Sequence, residues 1–292
     1  MPEKPFPIYQ IQDFAEASRQ GPGFYLNLFE RHLQQHTFIQ KPHKHDFYII
    51  LLVTQGSGTH TIDFKTYPVK AQTIFFLSPG QVHSWQLSED TAGYILFFNS
   101  EFIRLISPQQ KLFRFPFFNT LLGQPLLTLP PEQAAGITTL IDNMAMEHAN
   151  RHRQWEEVIG SYLHILLIQL ARIYEAQNGS NPPSMVAYPA WGHLEELMEQ
   201  HYKQHEPVNF YADKLHTTAR QLNEICKNTL NKTVLELLQD RVILEARRLL
   251  THSALTITQV AAELGYFDNS YFARFFKKHT GQTPEQFRQS IS

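Results

Sequence analysis

The C-terminal part of this chain contains an internal repeat. The segment 212–236 matches the segment 261–286 at an offset of 49 residues, which becomes 50 after one extra residue in the second turn. The aligned pairs are Leu215 with Leu264, Leu222 with Phe272, Cys226 with Phe276, Lys227 with Lys277 and Thr233 with Thr283. Each copy has two short helical patterns joined by a tight turn, which predicts a helix-turn-helix unit whose second helix can enter the DNA major groove. Two such units in one chain predict a DNA-binding regulator.

Four capping boxes mark where helices begin in and around the repeat. In a capping box a Thr oxygen accepts from the backbone N–H three residues on, and a Gln or Glu there bonds back to the Thr N–H. The pairs are Thr218 with Gln221, Thr233 with Glu236, Thr256 with Gln259, and Thr283 with Gln286. They predict helix-turn-helix units at about 208–230 and 256–279, joined by an amphipathic connecting helix at 233–251. That helix is roughly 28 Å long, close to the roughly 34 Å of one DNA turn.

The second copy carries the densest motif of the chain. Residues 261–288 read AAELGYFDNSYFARFFKKHTGQTPEQFR, and this run resembles the signature of the AraC/XylS transcription regulators. The resemblance covers about the last hundred residues and implies a DNA-binding domain at 191–292. The first copy departs from the pattern, because His216-Thr217-Thr218 and Asn231 replace the usual small, Ser-rich turn and a Gly.

The resemblance also implies which side chains meet DNA. The groove-facing positions are Arg220, Asn223 and Glu224 on the first recognition helix, and Asn269, Ser270, Tyr271, Ala273 and Arg274 on the second. Arg pairs bidentately with guanine, Asn with adenine, and Glu accepts from cytosine N4, whereas Lys227, Lys277 and Lys278 suit phosphates. The alternative is that these residues form ordinary solvated helix faces.

Composition places limits on the function without indicating it. The chain has 25 Lys and Arg against 27 Asp and Glu, and the region from Trp191 onward is balanced in charge. This region is therefore unlike the strongly basic proteins that bind nucleic acid non-specifically. Its affinity for DNA must come from where its basic side chains are placed. The single cysteine, Cys226, excludes a disulfide framework and is predicted to be a buried, inert thiol. No signal-like segment or membrane-length apolar run is visible, so the chain is expected in the cytoplasm without membrane contact.

Strand patterns dominate the N-terminal part. Apolar runs separated by turn signals predict strands at 47–53, 59–64, 74–77, 82–87 and 94–98, and hence a small all-β barrel or sandwich. The pieces His43-Lys44-His45 and Pro79-Gly80-Gln81-Val82-His83 resemble the two halves of the cupin pattern. A cupin-like barrel is the usual sensor fold in sugar-responsive members of the AraC/XylS family. The resemblance thus implies that residues 1–130 form an effector-binding barrel that includes an N-terminal arm.

Three interpretations of His43, His45 and His83 remain open. A His-x-His pair on a strand and a later His can present imidazole nitrogens to a divalent ion. Metal cupins place a carboxylate a few residues after the pair, but residues 49–51 here are aliphatic. The sequence therefore favours a metal-free pocket, with no cofactor, in which these histidines and Trp85 bind a small polar effector. In the third interpretation the histidines are purely structural.

Residues 131–177 are predicted to form a helical dimerisation segment. The helix from about Gln154 is apolar nearly all round, so it is predicted to pack on the barrel and against a second subunit, with Leu163 and Leu167 facing outward. The alternative is an entirely internal core helix. Residues 178–190 are polar and Pro-rich and are predicted to be a linker.

These expectations combine into an α+β multidomain protein with a cupin-like barrel and an all-α DNA-binding domain. The predicted function is a non-enzymatic, sequence-specific transcription regulator that responds to a sugar or another small polar metabolite. The expected partners are double-stranded DNA, the effector, a second copy of the chain and RNA polymerase. The alternatives are a cupin-type metalloenzyme fused to a DNA-binding module, and a constitutive DNA-binder without an effector.

Overall fold

The computed structural model describes most of the chain in two compact units that divide between residues 180 and 181. The described residues are 8–14, 23–36, 39, 41–106, 112, 115–120, 123–178 and 189–291. Most of the predicted linker, residues 179–188, lies outside them, and the predicted N-terminal arm is described only for residues 8–14. Among the described helices, none has the length and apolar character needed to cross a lipid bilayer.

Within its described residues, the N-terminal unit contains two five-stranded sheets. The first sheet has the spatial order β1 (Ile8–Tyr9), β3 (His43–His45), β8 (Val82–Leu87), β5 (Gly58–Ile62) and β6 (Lys65–Val69). The second has the order β10 (Leu126–Thr128), β7 (Thr73–Leu77), β4 (Tyr48–Gln55), β9 (Ala92–Phe98) and β2 (Phe24–Leu28). The five predicted strands are confirmed as β4, β5, β7, β8 and β9, whereas β1, β2, β6 and β10 were not predicted.

Strand β4 is buried on both faces, which explains its unbroken apolar run. Ile49, Leu51 and Val53 pack into the core that also contains Phe75 and Phe97, together with residues of the first sheet. The alternate residues, such as Ile50 and Leu52, pack into a second core formed with the helices. A strand covered on both sides reads as a continuous hydrophobic segment rather than as an alternation.

The α-helices described alongside the sheets are α1 (Phe29–Gln35), α2 (Ser100–Ile106), α3 (Pro131–Asn150) and α4 (Trp155–Asn178). The predicted stripe of α3 is confirmed, since Ile137, Ile141 and Met144 are fully buried in the same core as Ile50. Helices α3 and α4 thus cover the outer face of the second sheet and belong to the same compact unit as the strands.

Helix α4 corrects one prediction. Leu163 and Leu167 are both 0 % exposed and lie in the core shared with α3 and the second sheet. The prediction that these two residues face a second subunit is therefore wrong. The larger apolar side chains of α4 that remain exposed are Val158 and Ile165, at 37 % and 45 %. The second sheet and α3 together cover a broader face of α4 than the spacing of its apolar residues alone indicated.

The C-terminal unit is all helical. Its helices are α5 (Pro189–His201), α6 (Val208–Lys214), α7 (Ala219–Leu230), α8 (Val234–His252), α9 (Ile257–Glu263), α10 (Asn269–Thr280) and α11 (Pro284–Ile291). The four capping boxes are confirmed: each Thr hydroxyl accepts from the predicted N–H, and each Gln or Glu bonds back to the Thr N–H. These caps begin α7, α8, α9 and α11.

The burial pattern agrees with the repeat alignment. Leu222 and Cys226 of α7 are fully buried, as are their partners Phe272 and Phe276 of α10. Burial raises the pKa of the Cys226 thiol to about 12, so the thiol stays protonated at neutral pH. The prediction of a buried thiol is confirmed.

Both copies also share their turn geometry despite different residues. Gly265 and Gly281 adopt φ angles of 80° in the second copy, and the aligned His216 and Asn231 adopt 52° and 54° in the first. Residues other than Gly pay roughly 1–2 kcal/mol in this left-handed region. The first copy therefore keeps the helix-turn-helix backbone at a local energetic cost.

A buried ion-pair network fixes α8 against the start of the C-terminal unit. Arg241 is 5 % exposed and donates through Nε and a terminal nitrogen to both carboxylate oxygens of Glu199, at 2.6 and 2.9 Å. It also donates to Glu245, which accepts a further bond from Arg248. The Arg241 guanidinium lies over the Tyr202 ring, 4.1 Å from its centre. Because the fork of Arg matches a carboxylate, this network fixes α5 and Tyr202 against α8.

Candidate DNA-binding and effector-binding sites

Helices α7 and α10 are the second helices of the two helix-turn-helix units. Each leaves a stripe of side chains exposed at the spacing i, i+4 and i+7, and the two stripes are equivalent under the repeat. The stripes are Arg220, Glu224 and Lys227 on α7, and Ser270, Arg274 and Lys277 on α10. Tyr271 and Lys278 are exposed beside the second stripe. Since equivalent positions of both helices carry groups that fit bases and phosphates, the two helices present matched candidate DNA-contacting faces.

Asn223 lies off this stripe, unlike the other predicted positions of α7. Its Nδ2 donates to the Ala219 carbonyl at 2.9 Å, and its Oδ1 accepts from the backbone N–H of Val234 at 3.0 Å. Val234 is the first residue of α8, so Asn223 satisfies an N–H group that lacks a partner within the helix. The Asn223 amide therefore links α7 to α8, and its contact with a base stays a prediction.

The start of α10 is capped from within the chain. The Asp268 carboxylate accepts from the N–H groups of Ser270 and Tyr271 at 2.7 and 3.2 Å. Asn269 is exposed and donates to the Thr258 hydroxyl at 2.7 Å. Because Asp268 takes these N–H groups, phosphate contacts on this helix are expected from its lysines. Phe267 precedes the cap, and its ring is fully exposed. An apolar group can contact a thymine methyl. Phe267 was not among the positions predicted from the sequence.

In the N-terminal unit, strand register brings the predicted histidines together. His43 lies directly opposite His83 in the pairing of β3 with β8, and His45 lies two residues along β3 on the same face. Trp85 lies two residues beyond His83 and opposite His60 of β5. Residues two apart on a strand share a face, so these side chains converge. His60 was missed, although the alternation of residues 59–64 places it inward with Ile62.

The histidines form a buried hydrogen-bonded chain. His45 Nε2 and His83 Nε2 are 2.7 Å apart, His83 Nδ1 and His60 Nε2 are 3.0 Å apart, and His43 Nδ1 is 2.7 Å from the Lys41 carbonyl. All four side chains are at most 4 % exposed. Burial lowers the pKa of His43 to about 4 and of His60 to about 3, and lowers those of His45 and His83 well below the usual range. The imidazoles are therefore neutral at pH 7.

Aromatic rings surround this cluster. The ring centre of Tyr9 in β1 is 5.5 Å from that of His43 and 6.2 Å from that of His45. The ring centre of Phe14 is 5.8 Å from that of His45. Trp85 is half-buried, and its ring centre is 5.1 Å from that of His83. The histidines thus lie beneath Trp85 on one side and beneath residues 8–14 on another, rather than lining an open cavity as the sequence interpretation expected.

Trp85 also borders a surface depression of about 400 Å³ between α1 and β8. Its other lining residues include Glu30, Gln34, Leu87 and Glu89. The indole Nε1 of Trp85 is buried and has no hydrogen-bond partner. A cavity of this size with polar and aromatic walls fits a small polar molecule, so Trp85 connects a solvent-facing depression with the histidine cluster.

Comparisons with known proteins agree with this two-part arrangement. Residues 23–164 match the profile of the AraC-like ligand binding domain, and residues 211–290 match a helix-turn-helix domain profile. The chain belongs to the AraC family. As an AraC-type protein it is a DNA-binding transcription regulator with an N-terminal ligand-binding domain of cupin-like fold. The HTH-type transcriptional activator RhaR of Escherichia coli is 24 % identical over 246 residues, which cover 84 % of this chain and 86 % of RhaR.

Solved structures of similar proteins include AraC-type domains and longer chains. ToxT from Vibrio cholerae is 13 % identical with a TM-score of 0.42, over 92 % of this AraC-family chain and 95 % of that protein. The C-terminal domain of the response regulator yesN from Fusobacterium nucleatum is 24 % identical with a TM-score of 0.31. That match covers 32 % of this chain and 93 % of the domain.

Proposed function

We propose that this AraC-family protein binds a specific DNA sequence by placing α7 and α10 in successive major grooves. The observation that carries the proposal is the equivalence of the two exposed stripes, in which Glu224 aligns with Arg274 and Lys227 with Lys277. Helix α8 joins the two units and, at 19 residues, is roughly 28 Å long. Both recognition helices therefore fit one face of a duplex, where grooves recur at roughly 34 Å.

Within this interface, Arg274 is assigned to a base and Lys277 to phosphate. Arg274→Ala is expected to weaken binding to the specific site by about 1–3 kcal/mol and to relax preference at one base pair. Lys277→Ala is expected to weaken binding to all sequences alike and to reduce the slope of log affinity against log salt by about one. Fluorescence anisotropy with a selected site and with random DNA, at several salt concentrations, measures both quantities.

The control for these variants is Arg172→Ala, which removes an exposed Arg from α4 of the other unit. Its affinity for both DNA molecules is expected to match the unaltered protein. If Arg274→Ala lost equal affinity on specific and random DNA, its assignment to a base would be wrong.

We also infer that the N-terminal unit binds a small polar effector in the depression at Trp85, above His43, His45 and His83. The support is the half-buried indole, whose N–H lacks a partner and whose ring contacts the histidines. An effector changes DNA binding only if it binds one arrangement of the protein better than another. The histidine rings under Trp85 provide such a difference in affinity. An effector that shifts the indole alters the contacts of the indole with these buried rings.

Trp85→Ala is expected to abolish the effector-dependent change in transcription, because it removes the aromatic wall of the depression. DNA affinity without effector is expected to stay within a few-fold, since the recognition helices belong to the other unit. A reporter gene assayed across a panel of monosaccharides and small polar metabolites measures the response. The matched control is Gln86→Ala, which removes the exposed neighbouring side chain on β8. A full response in Trp85→Ala would place the effector elsewhere.

We further infer that two chains associate through the exposed apolar face of α4. Val158 and Ile165 lie seven residues apart and therefore on the same side of the helix. Two identical chains most often pair through a symmetric contact in which the same face of each chain meets the other.

A further inference from the structure

We propose that His43, His45 and His83 bind a divalent transition-metal ion such as Zn²⁺. One ring nitrogen from each of the three side chains lies within 4.8 Å of the others. A tetrahedral zinc ion with bonds of about 2.0–2.1 Å to nitrogen holds its ligand atoms about 3.4 Å apart. Small rotations of the imidazoles produce that spacing, because the three residues already share one face of paired strands. The site was not favoured by the sequence, which lacks the carboxylate of metal cupins.

His43 has an unprotonated ring nitrogen that can bind a metal. Its Nδ1 faces the Lys41 carbonyl at 2.7 Å, and a carbonyl oxygen can only accept, so Nδ1 carries the hydrogen. The lone pair of the neutral ring is then on Nε2, which is buried and has no hydrogen-bond partner. Histidines that bind metals commonly donate their other N–H to a carbonyl oxygen in this way, which fixes the tautomer and the ring orientation.

His83 and His45 complete the ligand set. His83 Nδ1 is held by His60 Nε2 at 3.0 Å, so its Nε2 faces the centre of the cluster. That Nε2 shares a hydrogen bond with His45 Nε2 at 2.7 Å. His45 Nδ1 has no partner and can carry the ring hydrogen instead. When the hydrogen of His45 moves from Nε2 to Nδ1, both Nε2 atoms present lone pairs to the ion without net loss of a proton.

A metal ion explains the cluster better than a purely structural role does. Buried polar atoms without partners destabilise a folded chain, and one nitrogen in each of His43, His45 and His60 is in that position. An ion supplies the partner of His43 Nε2 directly. Three imidazoles favour Zn²⁺, Cu²⁺ or Ni²⁺ over the oxygen-preferring Mg²⁺ and Ca²⁺. A three-histidine set leaves a fourth position for water or an anion.

The metal site does not depend on the effector proposal. The effector is assigned to the depression outside Trp85, whereas the ion lies among the rings beneath it. Trp85→Ala is therefore expected to retain Zn²⁺ binding, and loss of the effector response in that variant leaves the metal inference intact.

The test is a Zn²⁺ titration of the full-length protein after dialysis against a chelator, in competition with a chromophoric chelator. The unaltered protein is expected to bind one Zn²⁺ per chain. His43→Ala and His83→Ala each remove a ligand and are expected to weaken binding at least ~100-fold, whereas His60→Ala removes the partner of His83 Nδ1 and is expected to weaken it by about 10- to 100-fold. His152→Ala removes an exposed histidine outside the cluster and is expected to change nothing.

A folding control accompanies these variants, because each changes a buried residue. His43→Cys keeps a zinc ligand of similar burial and is expected to retain one Zn²⁺ per chain, and Co²⁺ added to it is expected to give the near-ultraviolet absorption of a cobalt–thiolate bond. Absence of stoichiometric Zn²⁺ binding by the folded, unaltered protein would overturn the inference. An equal loss in His43→Ala and His152→Ala would also overturn it.

Discussion

Replacing Leu163 by glutamate is expected to unfold the N-terminal unit rather than to separate two subunits. Leu163 is 0 % exposed in the core between α4, α3 and the second sheet. Losing a buried Leu side chain costs about 2–5 kcal/mol, and an unpaired carboxylate in its place adds several more. The sum is comparable with the roughly 5–15 kcal/mol that stabilises a typical domain. Urea unfolding followed by near-ultraviolet circular dichroism measures the loss.

The matched control is Ile165→Glu on the same helix, two residues away and 45 % exposed. Its free energy of unfolding is expected to change by less than about 0.5 kcal/mol within one chain, as for other surface substitutions. If the exposed face of α4 joins two chains, sedimentation of Ile165→Glu shows folded monomers where the unaltered protein shows dimers. A folded, stable Leu163→Glu protein would contradict the packing described for α4.

Arg241→Ala is expected to destabilise the C-terminal unit by about 3–5 kcal/mol. Removing a buried charged partner from an ion-pair network is strongly destabilising, and here Glu245, whose side chain is only 10 % exposed, loses its bond to the Arg241 guanidinium. The substitution also removes the two bonds to Glu199 and the contact with the Tyr202 ring. Chemical unfolding of the full-length protein monitors the loss, and Cys226 reports it independently because its thiol is accessible to labelling only after unfolding.

The comparison variant is Lys232→Ala, which breaks the exposed pair of Lys232 with Asp240. Their side chains are 45 % and 38 % exposed, so the pair is expected to contribute less than about 1 kcal/mol. Equal losses in Arg241→Ala and Lys232→Ala would mean that the buried network has no special role in stability.

The helix-turn-helix repeat was predictable because its signals are local. A capping box such as Thr233 with Glu236 involves residues three apart, and both hydrogen bonds form as the sequence predicts. The equivalence of Cys226 with Phe276 needed only an alignment of the chain with itself, and both side chains are fully buried. Patterns of this kind are predictable because the interactions that produce them join residues close together in the sequence.

Other features depend on contacts distant in sequence and were not predictable. The amide of Asn223 is engaged by the first residue of α8, and nothing in the spacing of α7 signals that bond. Helix α4 appeared too apolar for one partner, but the outer face of the second sheet covers Leu163 and Leu167. The histidines lie under aromatic rings, and His60 joins them through strand register that pairs β5 with β8.

In the proposed binding mode, both recognition helices bind one face of a specific DNA site. Hydroxyl-radical footprinting of the full-length protein on genomic fragments selected for binding is the decisive measurement of this mode. We expect, for each bound chain, two protected patches about one helical turn, or 10–10.5 base pairs, apart on the same face of the duplex. Arg274→Ala is predicted to weaken the patch contacted by α10 while the other patch persists. A single patch, or uniform protection without preference for sequence, would exclude this binding mode.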